Sequence, residues 1–379
     1  MVTGIGLYVH VPFCWSKCYY CDFFSEPYST KAVQQYLQAL EREARLYITS
    51  WLDGREVGSI YIGGGTPTAL AVEELERLCG IIAIFPRRAD AEWSVEANPD
   101  TLTREKLSIL HQFGVNRLSL GVQSFDDNLL QFLGRTHSGA KAKAAWQQGR
   151  QAGFDNMSLD LIYGIPGQSK NLWQETLSEA VALTPNHISA YGLTIEEGTL
   201  FALRQLSPCP EELEIAQYYV AQDILTKAGL LQYEISNFAR QGFVCRHNIL
   251  YWQNESYLGL GPAAVSYLQK ERWTNARDLT RYIQCLERGW LPIEERERVT
   301  AELEQAETVM LALRLKRGLS RWRFRTRFGQ DIVEAYPTVI KRLSKYGLIE
   351  IDERRLRLSP RGLLLANQVA MSFLPDDPS

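Results

Sequence analysis

The run Cys14-Trp-Ser-Lys-Cys18-Tyr-Tyr-Cys21 places three thiols on one short loop. Thiolates spaced C-x3-C-x2-C can each hold one iron of a [4Fe-4S] cube and leave the fourth iron without a protein ligand, open to a small molecule. Structural zinc asks for four ligands, usually from two Cys-x2-Cys halves, and the chain has no second half. The cysteine total of seven is odd, and spacing this tight does not suit a disulfide framework. Of the other cysteines, Cys79 and Cys285 sit in amphipathic patterns that read as core. Cys209-Pro210 lies in a proline-rich stretch that reads as packing or turn.

A loop of this kind needs a frame. Up to residue 195, short β-branched runs (6–11, 59–62, 92–96, 117–120, 157–162 and 187–191) alternate with helical patterns (31–50, 72–84, 103–113, 138–152 and 171–183). That alternation marks a parallel sheet built from βα units. Six units fall short of the eight that close a TIM barrel, so the sequence predicts an incomplete, TIM-like (β/α)6 α/β barrel with an open side over residues 1–195. Residues 196–295 break the rhythm. A helical pattern at 211–229 precedes Tyr233-Glu-Ile-Ser-Asn-Phe238 and Tyr257-Leu-Gly-Leu-Gly-Pro262, runs expected to extend the sheet and wall its open side. Residues 296–379 read as helix, helix and a hairpin at 348–358, the outline of a small winged-helix-like α+β domain, with a polar tail at 375–379 expected to be disordered.

With 379 residues, 45% hydrophobic and 22% charged, the chain can bury a large core spread over two or three domains. A formal net charge of -3 gives no global attraction to nucleic acid or anionic lipid, and no nucleic-acid partner is expected. The basic run from Arg314 to Arg327 reads as a solvated face beside acidic helices; contact with an anionic ligand or a partner protein is its functional alternative. No stretch reaches the ~18 apolar residues of a membrane span, and Met1-Val-Thr-Gly-Ile-Gly lacks the segments of a signal peptide. A cytoplasmic protein is expected.

Parallel barrels gather their functional groups at the carboxyl ends of the strands, which gives the cysteine loop a positional test. The first strand runs into the cysteines, the second into Gly63-Gly-Gly65-Thr-Pro67, the third ends at Glu96-Ala-Asn-Pro99, the fourth at Gly121-Val-Gln123, and the fifth carries Asp160. With Tyr20 before the third cysteine, the loop resembles the defining motif of the radical S-adenosylmethionine superfamily. That resemblance implies a [4Fe-4S] cluster on Cys14, Cys18 and Cys21 whose open iron is chelated by the amine and carboxylate of S-adenosylmethionine. One electron then cleaves the sulfonium to a 5′-deoxyadenosyl radical. Consecutive glycines let a backbone approach a ligand, so Gly64, Gly65 and Thr66 suit main-chain contacts with the methionyl group. Matching to the coproporphyrinogen oxidase-like branch implies Glu96, Gln123, Arg135 and Asp160 for the ribose hydroxyls and methionyl carboxylate, and Tyr8 for the methionyl group. Taken singly, the glycines suit a tight turn, the acids solvated charges or caps, and Arg135 a surface; their shared placement favours a site.

Tyr8-Val-His-Val-Pro-Phe-Cys14, Arg117-Leu-Ser-Leu-Gly-Val-Gln-Ser-Phe125 and Asp160-Leu-Ile-Tyr-Gly-Ile-Pro166 are similar to the oxygen-independent coproporphyrinogen III oxidases and their HemW-type heme chaperone relatives, over nearly the whole chain. The oxidases carry a fourth cysteine two places after the third and an N-terminal extension; here Asp22 and Phe23 follow Cys21, and seven residues precede Tyr8. The chaperones carry a His-Asn-x-x-Tyr-Trp element, and this chain has His247-Asn-Ile-Leu-Tyr-Trp252 after Cys245-Arg246. The resemblance implies a heme chaperone that binds cluster, S-adenosylmethionine and heme and passes heme to apo-hemoproteins, membrane-associated clients among them, with a homodimer as one state. His247 is then an axial ligand or lies against the macrocycle; its alternative is a satisfied core histidine. Where relatives often show Gly-Ala-His-Ser, this chain has Ala263-Ala264-Val265-Ser266, so no histidine can act there. The competing functions are a coproporphyrinogen III oxidase and, more remotely, a nucleic-acid-modifying radical enzyme.

Overall fold

The computed structural model describes residues 4–375 apart from residue 53; the start of the chain and residues 376–379 of the polar tail lie outside it. The first half contains the predicted alternation: β1 (Ile5–Val11), α1 (Thr30–Ser50), β2 (Val57–Gly64), α2 (Val72–Ala83), β3 (Arg87–Ala97), α3 (Arg104–Gln112), β4 (Arg117–Gln123), α4 (Gly139–Gln151), β5 (Asn156–Tyr163), α5 (Lys170–Ala182) and β6 (His187–Gly192). Along each strand one set of alternate residues is apolar and buried: Leu7, Val9 and Val11; Ile60 and Ile62; Trp93 and Val95; Leu118 and Leu120; Leu159 and Leu161; Ile188 and Ala190. These pack with Leu37 and Leu40 of α1, Leu75 and Leu78 of α2, Leu110 of α3, Trp146 of α4 and Trp173 of α5 into one core. Burying each such side chain stabilises the fold by about 1.5–3 kcal/mol.

The intervening residues are polar or glycine: Tyr8 and His10, Ser59 and Tyr61, Glu92 and Glu96, Arg117 and Ser119, Ser158 and Asp160, His187 and Ser189. They bond across neighbouring strands, with Tyr61 on Glu96, Ser119 on Asp160 and Ser158 on His187. A closed TIM barrel fills its interior with branched apolar side chains. A polar inner face in a parallel sheet is therefore the lining of a site.

The second half adds α6 (Glu211–Lys227), β7 (Leu231–Gln232), β8 (Asn237–Ala239), α7 (Arg246–Trp252), β9 (Tyr257–Leu260), β10 (Val265–Leu268), β11 (Glu271–Asn275), α8 (Leu279–Glu287) and β12 (Ile293–Arg298). The sheet runs β12-β11-β10-β9-β1-β2-β3-β4-β5-β6-β8-β7 and does not close on itself. β9 lies parallel beside β1 (Gly6↔Tyr257 to Val9↔Leu260), a seventh parallel strand. The run from Tyr233 to Phe238 extends the sheet as expected, its first four residues forming the turn between β7 and β8 and Asn237 and Phe238 pairing with β6. Phe238 faces Gln232, and the Glu234 carboxylate accepts from Ser236 N at 2.9 Å inside the turn. A buried carboxylate joins the added strands to the first helix. Glu43 on α1 accepts from Gly261 N (2.8 Å), Tyr282 OH (2.6 Å) and Asn275 Nδ2 (2.6 Å), and its burial pushes its pKa up to about 7.

The C-terminal region has a second core of Val309, Leu313, Phe324, Ile332, Leu343 and Leu356. It is built from α9 (Ala301–Ala312), β13 (Leu319–Ser320), α10 (Arg321–Phe328), α11 (Pro337–Lys345), β14 (Ile349–Ile351) and β15 (Arg355–Leu358), the last two forming the predicted hairpin and β13 adding a third strand. The basic run is in part the solvated face it suggests in sequence, with Lys316, Arg317, Arg325 and Arg327 exposed, and in part a set of ion pairs. Arg321 and Arg325 pair with Asp331, Arg323 with Glu255, Arg327 with Glu304, and Arg314 lies over Trp252.

Candidate functional site

β1 leads through Pro12 into the two-residue strand Phe13–Cys14, which pairs in parallel with Glu26–Pro27. Tyr28 N donates to Cys14 O at 3.0 Å, and on the far side Tyr19 N donates to Leu133 O at 3.1 Å, so the cysteine loop is stitched at base and tip. Cys14, Cys18 and Cys21 are half-buried free thiols. Thr66 Oγ1 lies 3.6 Å from Cys14 Sγ; Arg135 donates from Nη1 to Cys18 Sγ at 3.3 Å and from Nη2 to Gly121 O at 2.7 Å. Burial pushes the Cys14 thiol up and the Cys21 thiol up to about 11, so thiolates here call for added positive charge, which coordinated iron provides. Among the described residues no three His, Cys, Asp or Glu side chains converge on a single ion. A cube asks each thiolate to face a different iron, so spread thiols suit it. The buried Nε of Arg135 has no partner among the described residues and can meet an anionic group.

The glycines of β2 prove to be packing elements. Gly64 sits at φ +103°, and a Cβ there would lie 2.5 Å from His10 Nδ1; one on Gly65 would lie 2.8 Å from Phe13 O, and one on Gly63 2.8 Å from the Glu96 carboxyl carbon. Gly65 N donates to Val11 O and Thr66 N to Phe13 O, both at 2.8 Å. These two amides therefore hold the cysteine loop and are not free to donate to a ligand, a correction to the expectation from sequence. Any main-chain contact from this turn falls to carbonyl oxygens.

Around this turn stand the other expected residues. Glu96 accepts from Tyr61 OH at 2.8 Å, and burial raises its pKa to about 7. Asp160 accepts from Ser119 Oγ at 2.9 and 3.1 Å and from Ser158 Oγ at 3.2 Å, and burial raises it as well. Gln123 closes β4 at φ +66°, its amide beside Arg135 over Gly121. Tyr8 OH lies 3.1 Å from His10 Nδ1, and the Tyr8 ring stacks on Tyr61. Two acids, an amide, a guanidinium and a phenol thus share one wall with the cysteine loop. That donor set suits the sulfonium ligand of a cluster's open iron.

His247 takes the second of its two expected places, that of a satisfied core histidine. It is buried, its Nδ1 is 3.0 Å from Ser59 Oγ, its Nε2 is 3.0 Å from Tyr251 OH, and its ring stacks on Tyr61 at 5.4 Å. Desolvation drives its pKa down to about 3. Both ring nitrogens are engaged, so the imidazole is not free to ligate iron here. Glu92 anchors the start of α7 by accepting from Arg246 N (3.0 Å) and His247 N (3.2 Å), which seats the helix across the lumen floor. The far end of α7 opens on a cavity of about 860 Å³ lined by Tyr8, Phe24, Tyr251, Trp252, Tyr267 and Met310. Ligand pockets commonly span roughly 300–1,000 Å³.

The family models and relatives agree with this geometry. The radical SAM superfamily model matches residues 8–180, and the HemN C-terminal domain model matches residues 299–365. The heme chaperone HemW of Bacillus subtilis is 38% identical over 374 residues, 97% of this chain and 98% of the relative. The chain belongs to the HemW family. HemW of Escherichia coli is 38% identical over 266 residues, 69% of each chain. The solved structure of E. coli coproporphyrinogen III oxidase (HemN), a radical SAM enzyme, superposes with a TM-score of 0.86 at 25% identity, covering 98% of this chain and 91% of the oxidase. The partial barrel with a C-terminal domain is thus a radical SAM fold.

Several members of the site do not stand out in the sequence. Tyr61, Ser119, Ser158 and Ser189 hold the two acids, and Arg117 lies fully buried beneath them. The polar alternation along the strands is the available signal. Met310 and Tyr267 meet the cavity from α9 and β10, and no local pattern marks them.

Proposed function

We propose that this chain is a heme carrier: Cys14, Cys18 and Cys21 hold a [4Fe-4S] cluster, Tyr8, Glu96, Gln123, Arg135 and Asp160 hold S-adenosylmethionine, and the cavity beside α7 takes heme for delivery to an apo-hemoprotein. The observation that carries it is the cavity. Tyr8 belongs both to the polar lumen and to the cavity wall, so the macrocycle would sit next to the sulfonium site. Tyr251, Trp252, Tyr257 and Tyr267 offer aromatic surface to a flat ring system, and Met310 offers a thioether of a kind that ligates heme iron. Lys17 and Arg277 stand at the wall with no carboxylate in ion-pair distance among the described residues, suited to propionates. His247 then acts by fixing the Tyr251 hydroxyl rather than by meeting iron. When bound, cluster and S-adenosylmethionine supply one-electron chemistry; Arg135 tunes the Cys18 sulfur, and Glu96 and Asp160 orient hydroxyls. The division near residue 295 belongs to the same proposal, supported by the separate core of the C-terminal region, whereas residues 1–195 and 196–295 are proposed as barrel and extension of one continuous core.

The likeness to HemN favours one second reading, oxidation of coproporphyrinogen III. Against it stand Asp22 and Phe23, where a fourth cysteine would follow Cys21. Anaerobically reconstituted protein should bind heme near one equivalent and leave coproporphyrinogen III unchanged in the presence of S-adenosylmethionine and reductant. His247→Ala should shift the Soret band modestly and keep most affinity. Conversion of coproporphyrinogen III, or no heme binding by the wild type, contradicts the proposal.

A further inference from the structure

Arg321, Arg323, Arg325 and Arg327 of the basic run make ion pairs and Arg314 lies over Trp252, which leaves Lys316 and Arg317 of the run beside Arg355 of the hairpin. Lys316 and Arg317, in the turn before β13, and Arg355, at the start of β15, have no carboxylate within ion-pair distance among the described residues. They converge: Arg355 Nη1 reaches Arg317 O at 3.5 Å, and the Arg317 guanidinium is held below its ordinary pKa by burial and then by Arg355 and Arg323. Glu350 offsets Lys316, whereas Arg317 and Arg355 repel one another, and such like-charge contact disfavours the fold unless a ligand compensates.

The three line a cleft of about 1330 Å³ between the β7 edge of the sheet and the C-terminal region. Its lining is mixed: Val244, Ile249, Leu315 and Leu319 form an apolar patch among polar and charged side chains, and Trp322 stands 68% exposed at its side. The cleft is back to back with the cavity of the proposed heme site. Ile249 of α7 and Ala312 of α9 face the cleft, whereas Trp252 of α7 and Met310 of α9 face the cavity.

We propose that this cleft is a second binding site, for an amphipathic dianion with a flat apolar body and paired carboxylates. A bare anion has no use for the apolar patch, and an uncharged apolar ligand has none for three unpaired cations. A nucleic-acid strand needs a long row of phosphate contacts, and here Asp90 and Glu255 interrupt the row. Trp322 supplies a face for stacking and the cations supply bidentate partners for carboxylates. The proposal rests on the heme-carrier reading only in its choice of probe.

The test is titration of the full chain with protoporphyrin IX, which lacks iron and so takes no axial ligand. Tryptophan fluorescence and porphyrin absorbance are the readouts. The wild type should lose the Trp322 signal on binding, and Arg317→Glu with Arg355→Glu should remove one equivalent while leaving far-ultraviolet circular dichroism and the ferric heme Soret band unchanged. The single Arg317→Glu, in an exposed turn, should weaken that equivalent at least tenfold. Protoporphyrin dimethyl ester, without carboxylates, should not fill the cleft. Unchanged stoichiometry in the double variant, or equal cleft occupancy by the ester, overturns the proposal. Failure of the heme-carrier reading shows separately, as absence of the equivalent that survives the double substitution.

Discussion

Replacing Gly64 with alanine tests how the glycine turn and the cysteine loop depend on each other. At φ +103° a side chain strains the backbone by about 1–3 kcal/mol. The new methyl would also lie 2.5 Å from His10 Nδ1, and the imidazole cannot swing away without leaving Tyr8 OH at 3.1 Å or Phe24 O at 2.8 Å. Each buried hydrogen bond lost adds about 1 kcal/mol, giving a total of about 2–5 kcal/mol, a large share of the ~5–15 kcal/mol that holds a domain. Gly198 is the control: it has φ +80° and no atom within 4 Å of its added Cβ, so Gly198→Ala carries backbone strain alone. Anaerobic denaturant unfolding should move the midpoint further for Gly64→Ala than for Gly198→Ala, by the equivalent of about 1–2 kcal/mol, with the slope unchanged. Because His10 also bonds to Phe24 behind the loop, Gly64→Ala alone should blunt the effect of S-adenosylmethionine on the cluster's paramagnetic resonance signal. Equal midpoint shifts, or an intact response in Gly64→Ala, would refute the reasoning.

Other outcomes follow from the same geometry. Cys18→Ala should lose the cluster, seen as loss of iron and of the visible charge-transfer absorbance, whereas Cys285→Ala should keep about four irons per chain. Asp160→Ala should weaken S-adenosylmethionine binding at least tenfold by calorimetry without loss of iron, since it removes the acceptor held by Ser119 and Ser158. Glu43 has a folded pKa of about 7 against an ordinary 4.5, so its contribution to stability is fullest below pH 4.5 and falls as pH rises toward 7. A tenfold difference in proton affinity between folded and unfolded chain is worth about 1.4 kcal/mol, so the loss amounts to about 3 kcal/mol. Glu43→Gln should be less stable at low pH, because its amide nitrogen faces donors, and its stability should vary less between pH 4.5 and 7.

Much of the architecture was legible because β-branched runs and amphipathic helices alternate at βα spacing, and because Cys14, Gly64, Glu96 and Gln123 fall at or beside strand ends while β5 carries Asp160. Periodicity speaks for local structure. It did not reveal that β9 returns to lie beside β1, since that pairing joins residues some 250 positions apart (Gly6 and Tyr257) with nothing local to announce it. Nor did it name the ion-pair partners of the α10 arginines, since Glu255 and Glu304 are distant in sequence. His247 shows the same limit. Its sequence neighbours Tyr251 and Trp252 suggest a ring-binding patch, but helical geometry turns the imidazole one way, onto Ser59, and Trp252 the other, into the cavity. The glycine turn looked like a ligand cradle, whereas its tight contacts turn out to be with His10, Phe13 and Glu96.

The central claim is that heme bound beside α7 is cargo. The most direct measurement is stopped-flow transfer from heme-loaded protein to an excess of a b-type apo-hemoprotein, followed in the Soret region. A carrier predicts complete movement of heme to the acceptor, at a rate that rises with acceptor concentration because the acceptor meets the loaded chain. Filling the cavity with Met310→Trp should abolish loading and therefore transfer. A rate independent of acceptor concentration, equal to passive dissociation, would contradict delivery, as would full loading of Met310→Trp.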